Sequence, residues 1–140
     1  MKIYIAGPLF SEAELRMNRE INKVLKECGH ETYLPQEDGG QFALLPDVIE
    51  GKSKAQYLFG RDIEHLDWCD AVLFIFDGRV PDEGACFELG YAYASGKKCT
   101  GFKTDSRMFN AGGDNLMLRC SVETVLHSLE ELKEYFEKHD

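Results

Sequence analysis

Glu88 is the acidic residue whose sequence surroundings are hardest to explain without a chemical role. The stretch around it, ACFELGYAYAS at positions 85–95, is otherwise almost entirely small or apolar. Such a composition predicts a helix that is buried nearly all round. An unpaired carboxylate in that place would cost on the order of several kcal/mol, and no Lys or Arg lies within a helical turn of it. We therefore expect Glu88 to face a cleft.

Two aspartates and one tyrosine are expected close to Glu88. Asp62 lies between two leucines, each four residues away, which places it on the inward face of a helix. Asp82 stands in the loop just before the helix of Glu88. Tyr4, on the first strand, carries a hydroxyl that can donate a hydrogen bond to Glu88.

Carboxylates grouped around a cleft are typical of glycosidic-bond chemistry. One carboxylate attacks the anomeric carbon, and a second acid protonates the leaving group. Like charges held close together also push their pKa values apart, which provides an acid and a base in one site. The three acids and the tyrosine therefore indicate cleavage of a glycosidic bond.

Each of these residues also has a purely structural interpretation. Asp82 is suited to be the N-cap of the helix that follows it. Asp62 would be exposed if the helix were shifted by one residue, and Tyr4 could fill the core with its hydroxyl bonded to the backbone. Asp77, at the end of a strand, could be only a turn former. Glu88 has the weakest structural alternative.

The elements that must position these residues alternate along the chain. The run AVLFIF at 71–76 has no polar alternation, which is typical of a strand buried on both faces of a parallel sheet. Strands are predicted at 2–6, 32–35, 71–76, 98–102 and near 122–126. Helices are predicted from the capping box Ser11–Glu14 to Gly29, at 55–68, from after Gly84 to Gly96, at 115–118, and after Ser128. This pattern predicts an α/β fold, a flavodoxin-like doubly wound five-stranded parallel sheet with helices on both faces. Ligands bind beyond the carboxyl ends of the strands in such sheets.

Residues 36–53, QEDGGQFALLPDVIEGKS, show no clear period and contain three glycines and one proline. Loops of this length in a compact domain are usually functional or mobile. This segment is expected to form either a lid or wall that contacts a base, or an excursion over the surface.

Composition and charge restrict the class of protein. The 140 residues predict a single domain over 1–140. The net charge of −9 argues against a polymeric nucleic acid as partner, because a phosphate backbone needs a basic face. The N-terminus leads directly into a strand without a signal peptide, and no apolar run is long enough to span a membrane.

The cysteines and histidines predict neither disulfides nor a metal site. The five cysteines form no CxxC pair and lie in apolar segments, so we expect buried, reduced thiols in a cytoplasmic protein. The four histidines lack the spacing of metal ligands, so no metal is expected.

Several motifs together resemble the nucleoside 2-deoxyribosyltransferases and the related nucleoside and nucleotide N-glycoside hydrolases. The motifs are Ile3-Tyr-Ile-Ala-Gly-Pro8, Asp62 eight positions before Asp70-Ala-Val72, Asp82 six positions before Glu88 in Glu-Leu-Gly-Tyr-Ala92, and Asn115-Leu-Met117. They cover nearly the whole chain in the same order and spacing as in that family. The resemblance implies the same flavodoxin-like fold.

The resemblance also implies roles for these residues. Glu88 would be the nucleophile that forms a covalent deoxyribosyl intermediate, and Tyr4 would orient it. Asp62 and Asp82 would hold or protonate the base. Asn115 is similar to a residue that reaches the site of a neighbouring subunit near the 5′-hydroxyl, which implies an obligate homo-oligomer. The other substrate-binding candidates are Gly7, Phe10, Gln36, Gly84 and Met117.

This scheme implies a deoxynucleoside and a free nucleobase as substrates. The second base takes the sugar by the reverse path, so no cofactor is required. Two departures from the family leave the base preference open. The 36–53 segment has no clear counterpart, and the chain ends in a charged helix where some members use their last residues in the site.

Other functions remain possible from the residues. An N-glycoside hydrolase of a nucleoside or its 5′-monophosphate would use the same carboxylates. The loop from Gly7 to Phe10 offers little to a phosphate, but Arg107 and Arg119 keep a nucleotide substrate open. A receiver-like signalling module with Asp77 as phosphoacceptor is disfavoured, because the first strand ends in Ala6-Gly7-Pro8 without acids. A dinucleotide-binding domain is disfavoured because no GxGxxG follows the first strand.

Overall fold

The fold is a parallel sheet covered by helices, described for residues 1–139 by a computed structural model. The strands are β1 (Lys2–Ala6), β2 (Glu31–Tyr33), β3 (Val48–Ile49), β4 (Lys52–Ser53), β5 (Ala71–Ile75), β6 (Lys98–Phe102) and β7 (Val125–Leu126). β2, β1, β5, β6 and β7 lie side by side in that order, and all pairs are parallel. β3 and β4 form a separate antiparallel hairpin. The order confirms the predicted flavodoxin-like sheet.

Helices cover both faces of the sheet. They are α1 (Glu12–Glu27), α2 (Pro35–Asp38), α3 (Lys54–Trp68), α4 (Glu83–Ala94), α5 (Leu116–Arg119) and α6 (Leu129–Phe136), and Phe42–Leu44 form one 3₁₀ turn. One core cluster joins α1 and α6 to one face of the sheet. A second cluster joins α3 and α4 to the opposite face, where Tyr4 and Val72 point. This second layer carries the acids singled out by the sequence.

The predicted helix starts are explained by side chains that satisfy free backbone amides. Ser11 and Glu14 form a complete capping box at α1. Ser53 and Gln56 form another at α3, which the sequence analysis did not identify. Ser128 caps α6 by accepting from the amide of Glu131.

The expectation that the helix of Glu88 is buried nearly all round was wrong for the single chain. Ala85, Leu89 and Ala92 of α4 are buried, whereas Phe87 is 53% exposed and Tyr93 60% exposed. The reason is geometric, since α4 packs one face on the sheet and the opposite face has no partner within residues 1–139. Its apolar composition therefore does not arise from the core alone.

Residues 36–53 are more structured than the sequence predicted. They contain the end of α2, the 3₁₀ turn and the β3–β4 hairpin rather than an unstructured loop. Of the cysteines, which are all free, Cys69 and Cys99 are buried, whereas Cys120 is exposed, contrary to expectation. Within residues 1–139, no helix combines the length and the apolar character needed to cross a bilayer.

Candidate active site

Glu88 and Tyr4 are brought together by the packing of α4 on β1. The Tyr4 hydroxyl donates a hydrogen bond to Oε1 of Glu88 over 2.8 Å, as the sequence analysis expected. Tyr4 is fully buried, and burial together with the Glu88 charge raises the pKa of its hydroxyl, so Tyr4 remains a donor. In residues 1–139, no ion pair connects Glu88 to a Lys or Arg. Tyr4 therefore orients the Glu88 carboxyl group, and no Lys or Arg supplies a positive charge beside it.

The surroundings of Glu88 favour its protonated form. Burial is the main cause that raises its pKa from 4.5 to about 8, and the charges of Asp62 and Asp82 add to it. The hydrogen bond from Tyr4 acts in the opposite direction. A carboxyl with such a pKa in a group of acids is typical of functional sites.

Asp62 lies on the side of α3 that faces the sheet, as its spacing predicted. It is half-buried, and its Oδ1 accepts a hydrogen bond from the hydroxyl of Tyr33 over 3.2 Å. Burial raises the pKa of Asp62, and the Tyr33 bond opposes that effect. Burial therefore favours the protonated form of Asp62, from which a proton can pass to a nearby group.

Two cavities meet at Asp62. The larger, of about 570 Å³, is mostly apolar and is lined by Leu9, Phe10, Leu15, Pro35, Gln36, Gly39, Gly40, Gln41, Phe42, Ala43, Leu58 and Asp62. The smaller, of about 260 Å³, is lined by Phe59, Asp62, Ile63, Leu66, Gly84, Phe87 and Glu88. Asp62 is the residue that both cavities share. Both linings are mostly apolar, and Glu88 lies only in the smaller. A molecule that occupies both cavities could therefore place the bond between its two parts beside Asp62.

Asp82 lies at the start of α4, in the capping position that its structural interpretation predicted. Its Oδ2 accepts from the amide of Ala85 over 2.8 Å, so Asp82 is the N-cap of α4. Its charge nevertheless contributes to the raised pKa of Glu88. Gly84, which follows the cap, lines the smaller cavity.

Comparisons of the sequence and of the fold with known proteins identify the family of this chain. The sequence model of the family described as nucleoside 2-deoxyribosyltransferase matches residues 3–130. The chain belongs to this family. The resemblance inferred from the motifs is thereby confirmed.

Relatives of known structure share the fold over the whole chain. A 2-deoxyribosyltransferase from Bacillus psychrosaccharolyticus superposes with a TM-score of 0.78 at 28% identity, covering 96% of this chain and 92% of that one. A 2-deoxyribosyltransferase from Leishmania mexicana gives a TM-score of 0.72 at 27% identity, with coverages of 99% and 97%.

A curated relative is longer than this chain. An uncharacterised protein of Schizosaccharomyces pombe is 31% identical over an alignment of 112 positions, which covers 76% of this chain. The chain spans about half, 52%, of the length of that relative.

Two of the residues that the sequence predicted for substrate binding, Phe10 and Gln36, line the larger cavity. Phe10 is 78% exposed at its mouth. The Gln36 amide is already bound on both ends, since its Oε1 accepts from Asn18 over 2.8 Å and its Nε2 donates to the carbonyl of Leu15 over 3.0 Å. Gln36 therefore has reduced capacity to contact a base.

Gly7 has a packing role outside both cavities. A Cβ at this position would lie 2.8 Å from side-chain atoms of Ile75. Glycine thus allows the loop after β1 to pass close to β5.

Asn115 and Met117 line neither of the two cavities. Oδ1 of Asn115 accepts from the amide of Met117 over 2.9 Å and caps α5. Met117 is 70% exposed. The preceding loop is fixed by Lys103, which is buried and pairs with Asp114 at 2.5 Å. These two family motif residues are therefore held on the surface of the chain.

Asp77 braces the same loop. Its carboxylate accepts from the amide and hydroxyl of Thr104, at 2.7 and 2.5 Å, and from the amide of Asp105 at 2.8 Å. Arg107 is paired with Asp105. Asp77 thus has the structural function that the sequence left open.

Two residues near the site were missed by the sequence analysis. Tyr33 binds Asp62, and Asn18 is buried and holds Gln36. A signal for Tyr33 was present, because its hydroxyl lies in a predicted strand as that of Tyr4 does. Asn18 gave no signal, since an asparagine within an amphipathic helix usually faces solvent.

A search of residues 1–139 finds no group of three or more His, Cys, Asp or Glu side chains arranged to hold a metal ion.

Proposed function

We propose that this chain transfers 2-deoxyribose between nucleobases, by cleaving the N-glycosidic bond of a 2′-deoxynucleoside through a covalent intermediate on Glu88. The observation that supports this proposal most strongly is the position of Asp62 between a mostly apolar cavity and the cavity of Glu88. In this arrangement Asp62 would be the acid where the two cavities meet, and Glu88 would be the nucleophile in the smaller cavity.

The proposed reaction is a double displacement. A carboxylate oxygen of ionised Glu88 bonds to C1′ while the bond from C1′ to the base nitrogen breaks. The sugar passes through an oxocarbenium-like state that the negative charge of Glu88 stabilises. Asp62 donates its proton to the departing base, because an anionic base is a poor leaving group. A second base then attacks C1′, returns a proton to Asp62 and releases Glu88.

We assign the base to the larger cavity and the sugar to the side of Glu88. Phe10, Phe42 and Leu58 supply apolar surface against which a planar ring can pack. Residues 39–43 belong to that wall, which favours a base-contacting role for the 36–53 segment over a surface excursion. Asp82 would act mainly through its charge on Glu88, because its Oδ2 caps α4.

The active unit would be a homo-oligomer in which Asn115 of one subunit completes the site of its neighbour. Asn115 and Met117 line neither cavity of the single chain, and the outer face of α3 and α4 exposes Phe59, Phe87 and Tyr93. An apolar face of this kind is expected to be covered by a partner. A second copy is the partner that the family resemblance implies.

The nearest alternative is hydrolysis of the same bond, with water in place of the second base. A 5′-monophosphate substrate finds little support in the groups available to it. Arg107 is paired with Asp105, and the carboxylate of Glu14 accepts from the amides of Phe10 and Ser11. A phosphoacceptor role for Asp77 is disfavoured by the three hydrogen bonds that its carboxylate already accepts.

The test mixes a 2′-deoxynucleoside with a different free nucleobase and follows both by chromatography. A new deoxynucleoside supports transfer, and free base with free sugar alone supports hydrolysis. Glu88→Ala is expected to abolish either reaction in a folded protein. Turnover of neither nucleosides nor nucleotides by the unaltered protein would contradict an enzymatic function.

A further inference from the structure

Tyr33 is the buried residue that connects the sheet to Asp62. It is the last residue of β2, is 2% exposed, and donates its hydroxyl proton to Oδ1 of Asp62 over 3.2 Å. It has no counterpart among the motif residues considered above. Hydrogen bonds from the hydroxyls of Tyr33 and Tyr4 both lower the pKa of Asp62, and that of Tyr33 has the larger effect.

The ring of Tyr33 is held between two other rings. His65 stacks on one side, with ring centroids 3.7 Å apart and an interplanar angle of 18°. Tyr4 packs at a centroid distance of 5.2 Å. The Tyr33 side chain therefore has little freedom to turn away from Asp62.

The backbone of α2 is also adapted to the Tyr33 hydroxyl. A Cβ added at Gly39 would lie 3.1 Å from the hydroxyl oxygen and 2.7 Å from the carbonyl of Pro35. Glycine at this position leaves room for the hydroxyl at the place where it reaches Asp62.

The geometry points to Tyr33 as a positioning residue for proton transfer, which occupies Oδ1 of Asp62 and leaves Oδ2 to carry the proton to the base. This inference rests on the proposed function.

The proton balance explains why the contact would favour the reaction. Before transfer, the Oδ2–H bond of Asp62 is intact and Oδ1 accepts a neutral hydrogen bond from Tyr33. As the C1′–N bond breaks, the Oδ2 proton moves to the base nitrogen and Asp62 becomes a carboxylate. The Tyr33 bond then has an anionic acceptor, and such bonds are about twice as strong as neutral ones. Tyr33 therefore stabilises the product of proton transfer more than the reactant.

The deciding experiment compares two donors in the Tyr33→Phe variant, which retains the stacked ring. With a natural 2′-deoxynucleoside, kcat should fall by about 10- to 100-fold, at or below the lower end of the roughly 10²- to 10⁴-fold contribution of a general acid, because Asp62 itself remains. With 4-nitrophenyl 2-deoxyriboside, whose phenolate leaves without a proton, kcat should change by less than about threefold. The matched control is Tyr91→Phe. It removes a hydroxyl that donates to Asp67 of α3, the helix that also carries Asp62, over 2.7 Å and outside both cavities, and it should leave both rates unchanged.

A double-mutant cycle with Asp62→Asn gives a second readout. If Tyr33 acts through Asp62, Tyr33→Phe should cause no further loss with the natural donor once Asp62 is replaced. Equal losses with both donors, or additive losses in the cycle, would overturn the inference and leave Tyr33 a structural residue. Failure of the unaltered protein to use either donor would instead contradict the proposed function itself. The thermal midpoint of each variant establishes that it is folded.

Discussion

The hydroxyl of Tyr4 donates a hydrogen bond to Oε1 of Glu88 over 2.8 Å, across 84 positions of sequence. This contact is made in the core, since Tyr4 is fully buried on the central part of the sheet. It stabilises the ionised form of Glu88, while burial and the neighbouring aspartates destabilise it. The reactivity of Glu88 therefore depends on a balance that a single hydroxyl can change.

The pH dependence of the unaltered protein should report this balance. In the proposed reaction Glu88 attacks only when ionised, and burial raises its pKa to about 8. With 4-nitrophenyl 2-deoxyriboside, which needs no acid, kcat/KM should rise with pH and level off above about 8. A profile that is flat from pH 6 to 9 would contradict the raised pKa of Glu88.

Tyr4→Phe should move that profile to higher pH. The substitution removes a hydrogen bond that lowers the pKa of Glu88, so a smaller fraction of Glu88 is ionised at pH 7. An increase of about 1 in the pKa of Glu88 would reduce kcat/KM at pH 7 by about tenfold. The measurement is the pH profile with the same donor, and Tyr91→Phe serves as the control. An unchanged profile would show that Tyr4 does not act through the ionisation of Glu88.

Glu88→Gln should make the protein more stable at high pH. The folded-state pKa of about 8 lies above the ordinary value of 4.5. The stability associated with the protonated form is therefore fully present below pH 4.5 and is lost as the pH rises through 8. At pH 9 the neutral variant should be more stable by about 1–4 kcal/mol, and near pH 4.5 the two proteins should be similar.

Thermal midpoints at fixed protein concentration, measured at pH 4.5 and pH 9, test this prediction. Glu64→Gln, which alters an exposed carboxylate on α3, is the control and should show no comparable gain at pH 9. A Glu88→Gln variant that is less stable than the unaltered protein at pH 9 would contradict the raised pKa.

The fold was predictable because its signals are local. The apolar run of β5 and the alternation of strands with capped helices lead directly to the parallel sheet. The position of Asp62 followed from helical spacing between Leu58 and Leu66, and the inward direction of Tyr4 from its strand.

Features that depend on distant neighbours were not predictable. Tyr33 is the register partner of Tyr4 on the adjacent strand, but its contact with Asp62 requires knowledge of how α3 lies against β2. Gln36 has the right chemistry to contact a base, yet Asn18 from α1 occupies its amide oxygen. The composition of α4 correctly indicated a need for burial, but it could not show that half of the helix surface is uncovered in one chain.

A site shared between subunits should be detectable by complementation. Glu88→Ala and Asn115→Ala are each expected to be inactive alone. After the two proteins are unfolded together and refolded, mixed oligomers should regain part of the activity, because some sites then combine an intact Glu88 with an intact Asn115 from the neighbour. No recovery, with mixed oligomers present by mass measurement, would place Asn115 outside the neighbouring site.

The central claim is that Glu88 bonds covalently to the sugar, and intact-mass spectrometry of the acid-quenched protein tests it most directly. After incubation with a 2′-deoxynucleoside and no acceptor base, we expect a mass increase of one deoxyribosyl group. Peptide mapping should locate the group on Glu88, and added nucleobase should remove it. Turnover at full rate with no modified protein, or with the sugar on another residue, would contradict the account.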